Sequence, residues 1–269
     1  MPKNSLKQSP LELAEKAALK ARKVALRYFR RGVSAERKAD GSPVTKADKE
    51  TEEILIETLQ KGMPGCGFLG EEFGQQGSKE RRWIIDPIDG TRNFVRGIPI
   101  WALLIAFEEK GEITAGVVHS PATGELWSAR KGGGAYRNGK RISVSNAGSL
   151  DKSIFFHSGL RKSKEGFYWD GLLRLVEKTP YQRGPGDYLG YMLVAQGQGE
   201  IYLEDGLAPW DIAANKIIVE EAGGKLTDLE GRPTIYSGSA LATNGKLHEQ
   251  VLKILHGRAQ GGGLEPTPG

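Results

Sequence analysis

The chain has 269 residues, 38% hydrophobic and 26% charged, with a formal net charge of +5. That length suits one large domain or two lobes on a shared core, and it can bury most of the surface an unfolded chain exposes. A single cysteine, Cys66, excludes an internal disulfide and a CxxC zinc site, and no apolar run nears the roughly 18 residues that span a bilayer. The polar start also lacks the apolar centre of a signal peptide, so the expected location is the cytoplasm.

In chain order, Ser9-Pro10-Leu11-Glu12 reads as a capping box with proline at the first helical position. Leu11, Ala14, Ala18, Ala21 and Ala25 recur at helical spacing and predict a helix over 10–29. Lys20, Arg22, Lys23, Arg27, Arg30, Arg31, Arg37 and Lys38 form a basic cluster. Such a cluster is a solvated helix face, or it attracts anionic substrates or nucleic acid. Residues 38–44 read as a loop. Thr45 to Asp48 reads as a second cap, opening a helix to about residue 61. Strand patterns follow over 67–70, 82–86, 101–108, 113–119, 125–129 and 135–137. Turn signals at Lys110-Gly111, Ala122-Thr123-Gly124 and Asn138-Gly139 make this a mostly antiparallel sheet behind two helices.

The second half alternates differently. Strands are predicted over 153–157, 200–203 and 240–243, and helices over 169–178, 188–196, 212–222 and 247–255. Gly223-Gly224 closes the third of these helices. The alternation indicates an α/β layer. The predicted division is an N-terminal α+β lobe over 1–145, a C-terminal α/β lobe over 146–256, and a flexible tail over 257–269.

Three acidic motifs sit where strands or loops meet helices: Gly70-Glu71-Glu72, the run from Trp83 through Asp86 and Asp89 to Thr91, and Pro209-Trp210-Asp211. Trp83, Ile84 and Ile85 draw their strand into the core, with Asp86 at its inner end. Pro87 is expected to take the next peptide out of pairing. Asp89 then arrives near enough to share a site with Asp86. Two carboxylates in one partly buried place repel, unless a hard cation such as Mg²⁺ lies between them. Gly90 and Thr91 open a short helix whose N–H groups suit a phosphate. Carboxylates beside phosphate-binding amides are what metal-assisted phosphoryl hydrolysis needs. Taken singly, each acid is also an ordinary turn or cap residue, Asp211 above all.

In order and spacing these motifs resemble the inositol monophosphatase family of metal-dependent, lithium-sensitive phosphatases. The resemblance rests on Gly70-Glu71-Glu72, the run from Trp83 to Phe94, Trp210-Asp211 with Glu221-Ala222-Gly223-Gly224, and the upstream run from Pro43 to Asp48. It implies an α/β fold built as a layered αβαβα sandwich, and two to three Mg²⁺ ions per site. Glu71, Asp86 and the Ile88 carbonyl would hold one ion, and Asp86, Asp89 and Asp211 a second. Glu71 would face a third. Gly90 and Thr91 would bind phosphate, and Thr91 with Asp48 would orient or deprotonate the attacking water. Lys38 corresponds to a loop lysine that can approach the site. A homodimer is implied by the same analogy.

The substrate implied by the resemblance is a small phosphorylated metabolite, and its identity is expected to turn on Arg183, Gly186, Asp187, Glu204 and Asp211. Asp187, in a Gly-Asp-x-x-Gly-Tyr context, resembles the histidinol-phosphate phosphatases within the family. Acids at 187 and 204 could pair with the ammonium and imidazole of histidinol phosphate. Asp187 could also simply cap the helix that follows. Inositol monophosphate is the second candidate substrate, and a 3′-phosphoadenosine phosphatase is a third. A non-catalytic RNA- or partner-binding protein using residues 20–38 is the alternative outside enzymes. Gly184-Pro-Gly186 lacks dinucleotide-loop spacing, and no GxxxxGK[ST] occurs. His119, His157, His248 and His256 lack metal-ligand spacing and read as structural.

Overall fold

A computed structural model describes residues 8–32, 36–37 and 43–257. Residues 38–42 of the predicted 38–44 loop, Lys38 among them, and the tail beyond Gly257 lie outside the described residues. The first helix, α1 (Pro10–Arg31), opens on the expected box. Ser9 Oγ accepts from Glu12 N at 3.3 Å, and Glu12 Oε2 accepts from Ser9 N at 2.9 Å. Its buried face is Leu13 with Ala14, Ala17, Ala18, Ala21 and Ala25, small enough to bring the helix close to what lies beneath. Strand β1 (Glu36–Arg37) pairs antiparallel with β2 (Pro43–Val44), so the end of the predicted loop is extended backbone. Helix α2 (Lys46–Gly62) starts on a second box between Thr45 and Asp48.

The first sheet contains β3 (Gly67–Gly70), β4 (Gly74–Gln76), β5 (Arg81–Asp89), β6 (Ala102–Glu109), β7 (Glu112–Ser120), β8 (Glu125–Arg130), β9 (Gly134–Arg137) and β10 (Lys140–Ile142). Its strand order is β10-β9-β8-β7-β6-β5-β3-β4, and every pairing is antiparallel except that of β3 with β5. The short helix α3 (Thr91–Val95) leaves the end of β5.

The second half supplies β11 (Ile154–His157), α4 (Leu160–Ser163), α5 (Trp169–Lys178), β12 (Tyr181–Arg183), α6 (Asp187–Ala195), β13 (Ile201–Asp205), α7 (Pro209–Glu221), β14 (Lys225–Thr227), β15 (Ser239–Thr243) and α8 (His248–His256). The sheet order is β12-β11-β13-β15-β14, with β11 parallel to both neighbours and β15 antiparallel to both of its own.

Side-chain alternation stacks these elements into five layers. On β6, Leu103, Ile105 and Phe107 face α1 and α2, while Ala102, Leu104 and Ala106 face α6 and α7. On β13, Tyr202 faces α6 and α7, while Ile201 and Leu203 face α5 and α8. The architecture is therefore the layered αβαβα sandwich, with the pair α6 and α7 shared as the central layer. Among the described residues no helix is long and apolar enough to cross a membrane.

Candidate active site

The site begins with an irregularity in β5. Strand pairing does not stop at Pro87. It continues to Asp89, with Asp86 opposite Leu104 and Asp89 opposite Ala102. Two residues, Pro87 and Ile88, thus stand where the partner strand has only Leu103, which is a β-bulge. This corrects the expected exit from pairing: proline removes a single ladder donor and the strand resumes. The extra residue also reverses the side-chain parity. Asp86 and Asp89 therefore both turn toward the α6–α7 layer, while Ile88 turns into the core under α1 and α2. Without the bulge, the two acids would sit on opposite faces of the sheet.

Asp211 joins them from α7. That helix starts at Pro209, so Asp211 is its third residue and not the N-cap. Its Oδ2 reaches back to accept from Ala208 N at 2.7 Å. Ligand-capable oxygens of Asp86, Asp89 and Asp211 lie within 4.8 Å of one another. Asp89 Oδ2 also accepts from Tyr188 N at 2.6 Å, and Asp86 Oδ1 accepts from Ile88 N at 2.9 Å. Burial, then the charges of Glu71, Asp89 and Asp211, push Asp86 well up from the carboxylate range. Burial and the charges of Asp187, Asp211 and Glu204 do the same to Asp89. Asp211 rises to about 7, mainly through burial. Three hard oxygen donors, converging and each costly as an anion, fit a hard divalent cation.

The other predicted residues gather nearby. Glu71 follows β3, and its carboxylate approaches Asp86 closely enough to raise it. Thr91 Oγ1 donates to Ile88 O at 3.0 Å and lies 3.5 Å from Asp48 Oδ1. Asp48 is buried, and its Oδ2 accepts from both Thr45 N and Thr45 Oγ1. Burial lifts its pKa to about 6 against those hydrogen bonds. Gly90 has φ +82°, and a Cβ there would stand 2.9 Å from Ile100 O and 3.2 Å from Asp187 Oδ2, so only glycine fits without strain.

Asp187 and Glu204 line the same cleft, of about 790 Å³. Asp187 does not cap α6. It is the helix's first residue, at φ +51°, and its Oδ2 accepts from Asn93 Nδ2 at 2.8 Å. Burial raises it to about 6, against the pull of Arg92. Glu204 Oε2 accepts from Tyr202 OH at 2.8 Å, and burial, with the charge of Asp187, raises it to about 7. Arg183 is not brought in: it is exposed on the edge strand β12 and donates to Gln182 O. Gly186 is the N-cap of α6 and is not among the residues that line the cleft. Ser158, Arg161 and Arg92 line the cleft without having been foreseen. Ser158 and Arg161 sit in or beside short segments with no periodic signal. Arg92, inside the Trp83–Phe94 run, could have been flagged as a cation next to Gly90 and Thr91.

The sequence pattern of the inositol monophosphatase family matches residues 7–260. This chain belongs to the inositol monophosphatase family. It is 42% identical over 235 residues to the histidinol-phosphatase of Streptomyces coelicolor, covering 84% of this chain and 88% of that one. It is 35% identical over 254 residues to the inositol-1-monophosphatase of Mesorhizobium japonicum, covering 91% and 95%. Among solved structures, the extragenic suppressor protein suhB from Bartonella henselae superposes with a TM-score of 0.85 at 33% identity, over 91% of this chain and 97% of that one. The chain is accordingly a phosphoric monoester hydrolase.

Proposed function

We propose that this phosphatase hydrolyses L-histidinol phosphate to L-histidinol and phosphate, in a Mg²⁺-dependent reaction. The observation that carries the metal is the convergence of Asp86, Asp89 and Asp211 oxygens within 4.8 Å. Those three, with Glu71 and the Ile88 carbonyl, would hold two to three Mg²⁺ ions. When bound, the ions supply positive charge for the phosphoryl oxygens and make a water acidic enough to attack.

The rest falls to the protein's own groups. Gly90 and Thr91 hold the phosphate. The Thr91 hydroxyl can donate to Ile88 O at 3.0 Å or to Asp48 Oδ1 at 3.5 Å; in the reaction it gives its proton to Asp48 while its oxygen takes the proton of the attacking water. A carboxyl lifted to about 6 by burial suits that task near neutral pH. Asp187 and Glu204, both raised by burial, hold the ammonium and imidazole of the substrate. Arg183, exposed on its edge strand, is left out of this set.

The likeness to an inositol-1-monophosphatase favours inositol monophosphate as the second reading. The working form is taken to be a cytoplasmic homodimer, which gel filtration of the purified chain checks. The function test is phosphate release with Mg²⁺ from histidinol phosphate, inositol monophosphate and 3′-phosphoadenosine 5′-phosphate. Histidinol phosphate is expected to give the highest kcat/KM, and Asp187→Asn to lower it by at least about tenfold while sparing inositol monophosphate. Equal kcat/KM across the panel would contradict the assignment.

A further inference from the structure

Glu52 is a buried carboxylate that the proposed chemistry does not use. It stands on α2 in the run Lys49-Glu50-Thr51-Glu52-Glu53. Glu50, two residues before it, serves the surface by accepting from Arg27 and Tyr28. Glu52 is instead fully buried, four residues after Asp48 and on the same face of the helix. Its Oε2 accepts from Glu72 N at 2.9 Å and its Oε1 from Phe73 N at 3.3 Å. A Cβ on Gly70 would stand 1.8 Å from the same Oε1, so Gly70 is pressed against this carboxylate. Glu71 lies between these contacts, with its own N–H donating to Ile85 O at 3.2 Å.

Burying a carboxylate is costly unless its hydrogen bonds repay the desolvation. Here the bonds come from two consecutive backbone N–H groups, so they necessarily fix the conformation of the turn that carries them. The residue on the near side of Glu71 is set by contact, and the two on the far side are set by hydrogen bonds. Helix α2 thereby addresses two parts of the site: Asp48 meets Thr91, and Glu52 meets the turn bearing Glu71.

We propose that Glu52 is a positioning residue whose carboxylate shapes the 70–73 turn so that Glu71 points at Asp86. This rests on the reading of Glu71 as a cation ligand. Groups that orient a metal ligand commonly change affinity by about 10- to 100-fold when removed. Glu52→Gln keeps the shape but sets an amide NH₂ against a backbone N–H. It is expected to stay folded by circular dichroism and to raise the Mg²⁺ Kd, measured by calorimetry, about 10- to 100-fold. Amide exchange at Glu72 and Phe73 should quicken in parallel, while KM at saturating Mg²⁺ moves by less than about twofold. Leu59→Ala, a cavity on the same helix, is the control and is expected to lose stability with an unchanged Mg²⁺ Kd. Should Glu52→Gln fail to fold, Glu52→Asp carries the same test, because it keeps the charge and shortens the reach. Wild-type Mg²⁺ affinity in the folded Glu52 variant, or an equal loss in Leu59→Ala, would overturn the inference alone. Wild-type protein that binds no Mg²⁺ would remove the reading of Glu71, and this inference with it.

Discussion

Asp86 and Asp89 are held together by a one-residue bulge, and their charges are costly to each other as well as to their buried surroundings. Neutralising one of them relieves that repulsion in metal-free protein. Asp89→Asn keeps an oxygen for Tyr188 N, so it should raise the metal-free Tm by about 2–4 °C and abolish the Tm increase that Mg²⁺ gives the parent. A thermal melt with and without Mg²⁺ reads both. Gly90 makes the opposite case. Its φ of +82° and the nearby Ile100 carbonyl leave no room for a side chain. Gly90→Ala is expected to cost about 1–3 kcal/mol, seen in urea unfolding. It should also cut kcat/KM by at least about 100-fold, through displacement of the backbone proposed to hold the phosphate.

The elements that place these residues were legible to different degrees. The caps of α1 and α2 could be read because a capping box is a local rule, satisfied within four residues. The buried alanine face of α1 was legible for a similar reason, since its spacing is its packing. Ala18→Leu should accordingly overpack the contact with the first sheet and cost about 1–3 kcal/mol, leaving Mg²⁺ affinity unchanged by calorimetry. Strands β4, β10, β12 and β14 were not legible. They have three residues each and pair at or near sheet edges, where neither alternation nor hydrophobicity is required. The bulge in β5 escaped as well, because the sequence offers only Pro87, and proline alone points to an end of pairing. Within the site, the acids at 86, 89 and 211 stood out by motif. Glu52 did not, since its buried position among neighbouring acids is decided by a turn twenty residues away. Asp187 stood out as an acid, and it does line the cleft, but its hold on Asn93 was not legible.

Taken whole, the molecule gathers at and beside its cleft carboxyls whose pKa values are raised. Asp48 and Asp187 are raised to about 6, and Glu204 and Asp211 to about 7, with burial the first cause in each. In the unfolded chain the same groups release their protons near pH 4. Between about pH 4 and 7 the folded protein therefore binds more protons, and the stability of the metal-free form should fall as pH rises through that window. Mg²⁺ requires the deprotonated carboxylates, so its stabilising effect should grow over the same range. Melts at pH 5, 6, 7 and 8, with Mg²⁺ and with chelator, test both slopes. The same core joins the two proposed lobes. Trp127 on β8 packs on Tyr188 of α6 with ring centroids 5.9 Å apart, within one continuous cluster of buried residues. A single calorimetric transition is expected for residues 1–145 and 146–256 together.

The most direct test is a crystal grown with Mn²⁺ in place of Mg²⁺ and measured for anomalous scattering. At least one strong peak is expected among the carboxylates of Asp86, Asp89 and Asp211, at a metal–oxygen distance of about 2.0–2.3 Å. A fully saturated crystal with no peak there, or with metal bound only elsewhere on the protein, would contradict the account.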